Sequence, residues 1–463
     1  MSISTHAGGL LFDSIWLRAY HPQIIKSSFD LLDDVMRFIL DFLYLFAGLT
    51  YSPVIVYRAI RHGRYRTGWS QRFGKIGRRY PEKKCIWLHA VSVGEVNAAK
   101  TIIKELETRF SEYEIVISTT TDTGFVRANN LFGQNQQVFY FPFDFSWVVH
   151  RAFERIRPTI CLLMELEIWP NFVSTAKRLR IPVVVVNGRI SDKSFPKYQR
   201  AKSLLRHVFR KVDLVLTQTD QYAQRFQEIG AGNVMVTSSL KYDTAQITDK
   251  VEGADALAAQ LNITSERIWV AGGTGPGEEK IIIDVFMQLI RMNQFQDLRL
   301  VIVPRKPERF DEVARMIADS GLSYIRYSTY KSTNEKCNDR PPVILGDTMG
   351  DLRKFYSLAR VVFVGRSLVP MGGSDMMEAA ALGKCTIFGP HTFNFRQTVD
   401  SLLSSNGAIV VNDGEELLGA MQKCLLEPDY ACQIARNGQD DIRRNQGATT
   451  KSIEQIEKLL RLA

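Results

Sequence analysis

Glu95 is the residue of this chain whose type and position most suit chemistry. It stands at the exit of a glycine turn in the stretch Ile86–Val96, where an apolar strand-like run meets a helical pattern carrying Ala98, Ala99, Ile102, Ile103 and Leu106. A carboxylate where a strand's carboxyl end meets a helix start lies where open α/β sheets bind ligands, and there it can serve as a general base. The same position also suits a side chain that only complements the positive end of the helix.

Three more turns follow strand-like runs of the first half. They are the 118–124 stretch with Thr120 and Thr121, the 165–171 stretch with Glu165 and Glu167, and the 187–191 stretch with Arg189. Hydroxyls, carboxylates and a guanidinium gathered at one rim suit a polyhydroxylated or phosphorylated acceptor. Glu165 and Glu167 equally fit a solvated or salt-bridged pair.

The second half holds most of the glycine. Gly272–Glu279 follows a strand and opens a helix, a geometry that offers backbone N–H groups to an anion, yet it matches neither GxGxxG nor a P-loop. Pro304 and Arg305, with Lys306, put cations at another strand's end; Met349, Gly350 and Asp351 open one helix, and Gly373, Ser374, Asp375 and Glu378 open another. Turns at successive strand ends of a doubly wound sheet converge on one crevice, and this set suits a nucleotide. There is no Ser-His-Asp order and no acidic metal signature. The six cysteines and seven histidines are scattered, so no metal and no cofactor is expected, and the thiols read as reduced and mostly buried.

The elements that must position these residues alternate in a βαβ rhythm. Strands are expected at 85–89, 115–118, 138–141, 159–164, 183–186 and 214–217, then at 268–271, 300–303, 343–345, 361–364 and 385–388, with 328–339 a surface loop. Helices are expected between them, among them 98–110, 278–292, 310–320 and a last one at 453–460. The fold class is α/β, with two Rossmann-like doubly wound domains. The boundaries expected are a first domain at 81–247, a linker at 248–266, and a second domain at 267–463 whose last helix can pack back on the first.

Ahead of them lie an extension at 1–35 and a segment at 36–80 that departs from the soluble pattern. From Phe38 to Tyr57 only Asp41 is charged, and a basic block follows at Arg58, Arg61, His62, Arg64, Arg66, Arg72, Lys75, Arg78 and Arg79. An apolar helix with a basic flank reads as a membrane anchor, spanning or interfacial, with the basic side in the cytosol. The net charge of +10 favours anionic partners, and nothing suggests nucleic acid.

In combination, HAVSVGE at 89–95, TTTxTG at 119–124, ExEIWPN at 165–171, LKYD at 240–243, PRxPERF at 304–310, MGxL at 349–352 and GPHTFNF at 389–395 resemble the Kdo (3-deoxy-D-manno-octulosonic acid) transferases of bacterial lipid A assembly. The match runs in consistent order from about residue 36 to the C-terminus. The resemblance implies a GT-B glycosyltransferase with an N-terminal acceptor domain and a C-terminal donor domain facing a cleft. It implies an inverting, metal-independent transfer from CMP-Kdo to a lipid A precursor at the cytosolic face of the inner membrane. Glu95 matches the family's proposed base, and Arg305, the Met349–Asp351 turn and the Gly373–Glu378 turn match its CMP-binding positions. Where the family pattern reads STHEGEE, GGHNPLEP and PRHPERF, this chain reads GTGPGEE at 273–279, GGSDMMEA at 372–379 and PRKPERF at 304–310. These departures cluster in the donor turns, which leaves two other readings: a transferase using a different CMP- or nucleotide-activated sugar, and a non-catalytic glycolipid-binding protein of the same fold.

Overall fold

The computed structural model describes residues 22–62, 67–333 and 335–461. Most of the 1–35 extension, Arg64 and Arg66, and the side chains of Arg58 and His62 lie outside the described residues. The described chain forms two compact units, one running to Leu240 and regaining the chain at Gly447, the other Lys241–Gln446.

The first unit is built on a seven-stranded parallel sheet. In chain order its strands are β1 (Lys84–His89), β2 (Tyr113–Thr119), β3 (Gln137–Tyr140), β4 (Ile160–Met164), β5 (Val183–Gly188), β6 (Leu214–Thr217) and β7 (Val234–Val236), and in space they run 3-2-1-4-5-6-7. Unbroken apolar runs such as Val183–Val186 form its middle because helices cover both faces. Alternation then divides each strand between two cores: Ile86 and Leu88 pack with the helix Val93–Arg109, while Cys85 and Trp87 pack on the opposite face with Phe153 and Phe172. The C-terminal helix Ala448–Leu460 adds Ile453, Ile456 and Leu460 to the first of these cores.

The second unit repeats the scheme. Its strands are β8 (Arg267–Thr274), β9 (Leu298–Pro304), β10 (Tyr324–Arg326), β11 (Val343–Leu345), β12 (Val361–Val364), β13 (Cys385–Phe388) and β14 (Ile409–Val410), in the spatial order 10-11-9-8-12-13-14. Each sheet therefore reverses its winding once, between β1 and β4 in the first and between β8 and β12 in the second. At that reversal the connections leave toward opposite sides and open a crevice beyond the strand ends.

Three edge strands, β7, β10 and β14, were not expected from the sequence; at two or three residues each they are too short to show a period. The stretch 328–339 is not simply a loop: Tyr327–Thr333 is helical, and Cys337 is buried. The apolar segment belongs to a 41-residue helix, Pro22–His62, that continues through Pro53. Five of the six cysteines are buried and all are free thiols.

Candidate active site

Glu95 sits in the crevice-side turn after β1. Ser92 caps the helix Val93–Arg109, its Oγ accepting from the Glu95 N–H at 3.4 Å and donating to Glu95 Oε1 at 2.8 Å, while the Val91 N–H donates to Oε2 at 2.9 Å. This is a variant of the capping box in which the carboxylate accepts from the N–H one residue before the cap and from the cap's own hydroxyl, and it holds the carboxylate in place. Helix position alone gives such a group a low pKa. The structure differs: Glu95 is 8% exposed, and burial pushes its pKa up from 4.5 to about 7, against the two hydrogen bonds and aided by the charges of Glu165 and Glu167.

The neighbours of Glu95 come from the other side of the reversal. Glu165 directly follows β4 with a left-handed φ of 55°, its N–H donating to the Val186 carbonyl, and Glu167 lies in the same turn. Burial raises the Glu167 carboxyl, and the charge of Glu165 raises it further. Both reach Glu95 electrostatically, so three acids share one crevice.

The other rim residues are less alike. Thr121 spends its hydroxyl on structure, donating to the Val91 carbonyl at 2.9 Å and accepting from the Gly124 N–H at 3.1 Å. A Cβ on Gly124 would lie 2.7 Å from that same Val91 oxygen, so the glycine lets the two turns touch. The Thr120 carbonyl accepts from the buried Arg72 at 3.0 Å, leaving its buried hydroxyl without a partner among the described residues. Arg189 is exposed. His89 is wholly buried, hydrogen-bonded through Nδ1 to Ser118 and stacked on Phe141 at 3.8 Å. Burial lowers its pKa to about 3, so it is neutral and not an acid for the reaction.

In the second unit the glycine turn after β8 already has its anion, and that anion is Glu278. Its Oε2 accepts from the N–H groups of Gly275, at 3.0 Å, and Arg366, and its Oε1 from those of Ser367 and Leu368 at 2.6 and 2.8 Å. The carboxylate thus ties the turn after β8 to the turn after β12, across the reversal. Ser374 adds a second tie, its Oγ donating to the Gly273 carbonyl at 2.8 Å. Glu279 is paired with the buried Arg309, which also holds Glu312 at 2.8 Å. The GEE and PERF motifs therefore form one internal ion-pair group.

The groups left for a ligand lie beside these ties. Pro304 ends β9, and Arg305, anchored by its N–H to the Thr274 carbonyl, has an exposed side chain. Burial raises the pKa of Asp375 and Glu378, that of Glu378 further through Asp375; Lys241, Arg305 and Arg353 oppose these shifts. A mixed cluster of two carboxylates and three cations suits a ligand carrying both hydroxyls and phosphate. Met349 is exposed and Gly350 has a left-handed φ of 91°. Asp351 beside them is already occupied, accepting from Lys331 at 2.5 Å, Thr348 at 2.6 Å and Lys354 at 2.9 Å. Despite burial, these donors hold its carboxyl below the usual range. Gly373 has a φ of 83° and donates its N–H to the Arg366 carbonyl.

Lys241 and Arg353 were not singled out by sequence. Lys241 lies in the LKYD stretch, which offered the signal; Arg353 had none. Among the described residues no group of three or more His, Cys, Asp or Glu side chains is arranged to hold a metal ion.

A family model described as 3-deoxy-D-manno-octulosonic-acid transferase (kdotransferase) matches residues 67–244. A 3-deoxy-D-manno-octulosonic acid transferase of Haemophilus influenzae is 31% identical over 406 residues, covering 87% of this chain and 93% of its own length. One from Bordetella pertussis is 32% identical over 399 residues, covering 84% and 91%. Among solved structures, a glycosyltransferase from Rickettsia africae superposes with a TM-score of 0.53 at 13% identity, over 82% of this chain and all of the other. MurG of Acinetobacter baumannii gives 0.51 at 14%, over 81% and 99%. At such identities the last two speak for the two-domain GT-B fold alone.

Proposed function

Because this chain belongs to the Kdo transferases, glycosyltransferases of lipopolysaccharide synthesis, we propose that it transfers Kdo from CMP-Kdo to a lipid A precursor, with inversion and without a divalent metal, using Glu95 as the base. The observation that carries this reading is the environment of Glu95, a carboxylate held by a capping-box variant, desolvated to a pKa of about 7, and set at the winding reversal of its sheet. Ionised Glu95 takes the proton of the acceptor hydroxyl as that oxygen attacks the anomeric carbon. The bond from that carbon to the CMP phosphate breaks, and CMP leaves with the electron pair.

The donor falls to the second unit. Arg305, with Lys241, offsets the charge gathering on the departing phosphate, and Asp375 and Glu378 accept from hydroxyls of the nucleotide or sugar. Met349, Gly350, Gly373, Ser374 and Pro304 shape the pocket wall, Ser374 by holding the Gly273 turn. Asp351 acts through the lysines it binds. Thr120, Glu165, Glu167 and Arg189 meet the acceptor, with Thr121 fixing the loop that carries Thr120.

For the membrane, the support is an apolar helix window, Val35–Val54, none of which is buried, and an aromatic cluster beside it. Trp69, Phe73, Phe143, Phe145 and Trp147 form a run of ring contacts 5.6–6.2 Å apart, with Tyr44 of the helix meeting Phe145 at 6.0 Å. Half-exposed tryptophans beside an apolar helix suit the headgroup level of a bilayer. These features support membrane attachment, which the proposal puts at the cytosolic face of the inner membrane, next to the lipid acceptor.

Asp375 stands where the family pattern has a neutral asparagine, and this keeps a second reading in play, a different CMP- or nucleotide-activated sugar. A transfer assay with CMP-Kdo, a panel of other nucleotide sugars and a tetraacylated lipid A precursor, with and without EDTA, tests both. Transfer from CMP-Kdo that survives EDTA supports the proposal; tight CMP binding with transfer only from another sugar overturns it.

A further inference from the structure

The apolar helix carries one charge in the stretch 38–57, and the structure shows what it is for. Asp41 is turned onto the catalytic unit: Oδ1 accepts from the Ser146 N–H at 2.8 Å and from Asn171 Nδ2 at 3.1 Å, and Oδ2 from Ser146 Oγ at 2.5 Å. One turn later the Tyr44 hydroxyl donates to Asp144 Oδ2 at 3.1 Å. A tether needs no such groups. A carboxylate in a lipid-facing helix is costly, and it is tolerated where several donors are aimed at it.

Both contacts land on helix starts that lack a cap of their own. The helix Ser146–Ile156 begins after Phe145 and the helix Pro170–Arg178 after Trp169, side chains that cannot accept from a first-turn N–H. Asp41 caps the first of these from outside the element. Asp144 caps the second, its oxygens accepting from the N–H groups of Asn171 at 3.0 Å and Phe172 at 2.8 Å, and Tyr44 holds Asp144. Asn171 joins the two sets, since its Nδ2 also reaches the Asp144 carbonyl at 2.6 Å. The turn that leads into Pro170 is the one that carries Glu165 and Glu167.

We propose that Asp41 and Tyr44 are positioning residues for the acceptor side of the site: through Ser146, Asp144 and Asn171 they fix the Glu165–Asn171 turn, so the anchor helix is a working part of the enzyme as well as its attachment. The proposal rests on the reading that this turn meets the acceptor. Replacing Asp41 leaves or strengthens the apolar character of the helix, so attachment and positioning can be separated.

The test uses the full chain in phosphatidylethanolamine–phosphatidylglycerol vesicles that carry the lipid A precursor, comparing the parent with Asp41→Leu, Tyr44→Phe and the double variant. All are expected in the membrane fraction. The double variant should raise the acceptor KM about tenfold, the scale of losing hydrogen bonds to a charged group, with the CMP-Kdo KM unchanged. Amide exchange in 144–149 and 165–173 should quicken while 86–90 stays protected. Asp41→Asn, which keeps one acceptor oxygen, should recover part of the acceptor KM. Parent values of acceptor KM and of exchange in these segments overturn the proposal, as does an equal loss toward donor and acceptor. If the double variant is too unstable to assay, Tyr44→Phe alone decides by exchange at 171–172. That readout does not involve Glu95, so failure of the base assignment would leave it standing.

Discussion

A base that must be ionised before it works, yet basic enough to take a proton from a sugar hydroxyl, gains from a pKa near the working pH. Glu95 reaches about 7 through burial and two acidic neighbours. The acid limb of kcat/KM should therefore fall near pH 7, with activity rising as the pH passes it. Stability moves the other way. Between pH 4.5 and 7 the folded protein keeps a proton that the unfolded chain has released, so this residue's contribution falls across that window. Asp144, also pushed up to about 7 by burial, adds to the same fall, so thermal melts of parent and Glu95→Gln against pH should show a shallower dependence in the variant. Arg305 offers the second residue-scale expectation: Arg305→Ala should raise the CMP-Kdo KM by about ten- to a hundredfold, as for a lost charge-assisted hydrogen bond, and leave the acceptor KM alone. Sequence located Glu95 because a strand, a glycine turn and a helix start are local signals. It could not show the raised pKa, which comes first from burial in the folded unit and then from Glu165 and Glu167, about 70 residues on.

The ends of the strands do most of the site-building, and several side chains that looked free for ligands are spent there. Glu278 satisfies four backbone N–H groups of two turns. Glu278→Ala should cost at least about 3 kcal/mol, read as a lower denaturation midpoint of the second unit, since buried donors are left unpaired. Glu95→Gln should leave that midpoint unmoved. The central strands were legible because both faces are buried and their apolar runs are unbroken, as in Val361–Val364. The edge strands and the helix Tyr327–Thr333 were not, because short, half-exposed elements are held by distant partners rather than by their own pattern. Such a partner is Asp347, which accepts from Ser328 through both its N–H and its hydroxyl. The same limit hid Arg353, which gains meaning only from the carboxylates beside it, whereas Lys241 at least lay in the LKYD stretch.

At the scale of the molecule, the chain pairs a first unit that includes the long apolar helix with a second unit inserted between Leu240 and Gly447. A version beginning at Thr67 should leave the membrane fraction and, having lost Asp41 and Tyr44, should also turn over a detergent-dispersed acceptor more slowly than the full chain. Retention at the membrane would move the anchor to the aromatic cluster alone. The central claim is that Glu95 takes the acceptor proton, and the most direct measurement is single-turnover transfer from CMP-Kdo by Glu95→Gln beside the parent, with CMP affinity measured on both. The account predicts a rate lower by about 10²–10⁴ with unchanged CMP affinity. Transfer by Glu95→Gln at the parent rate would contradict it.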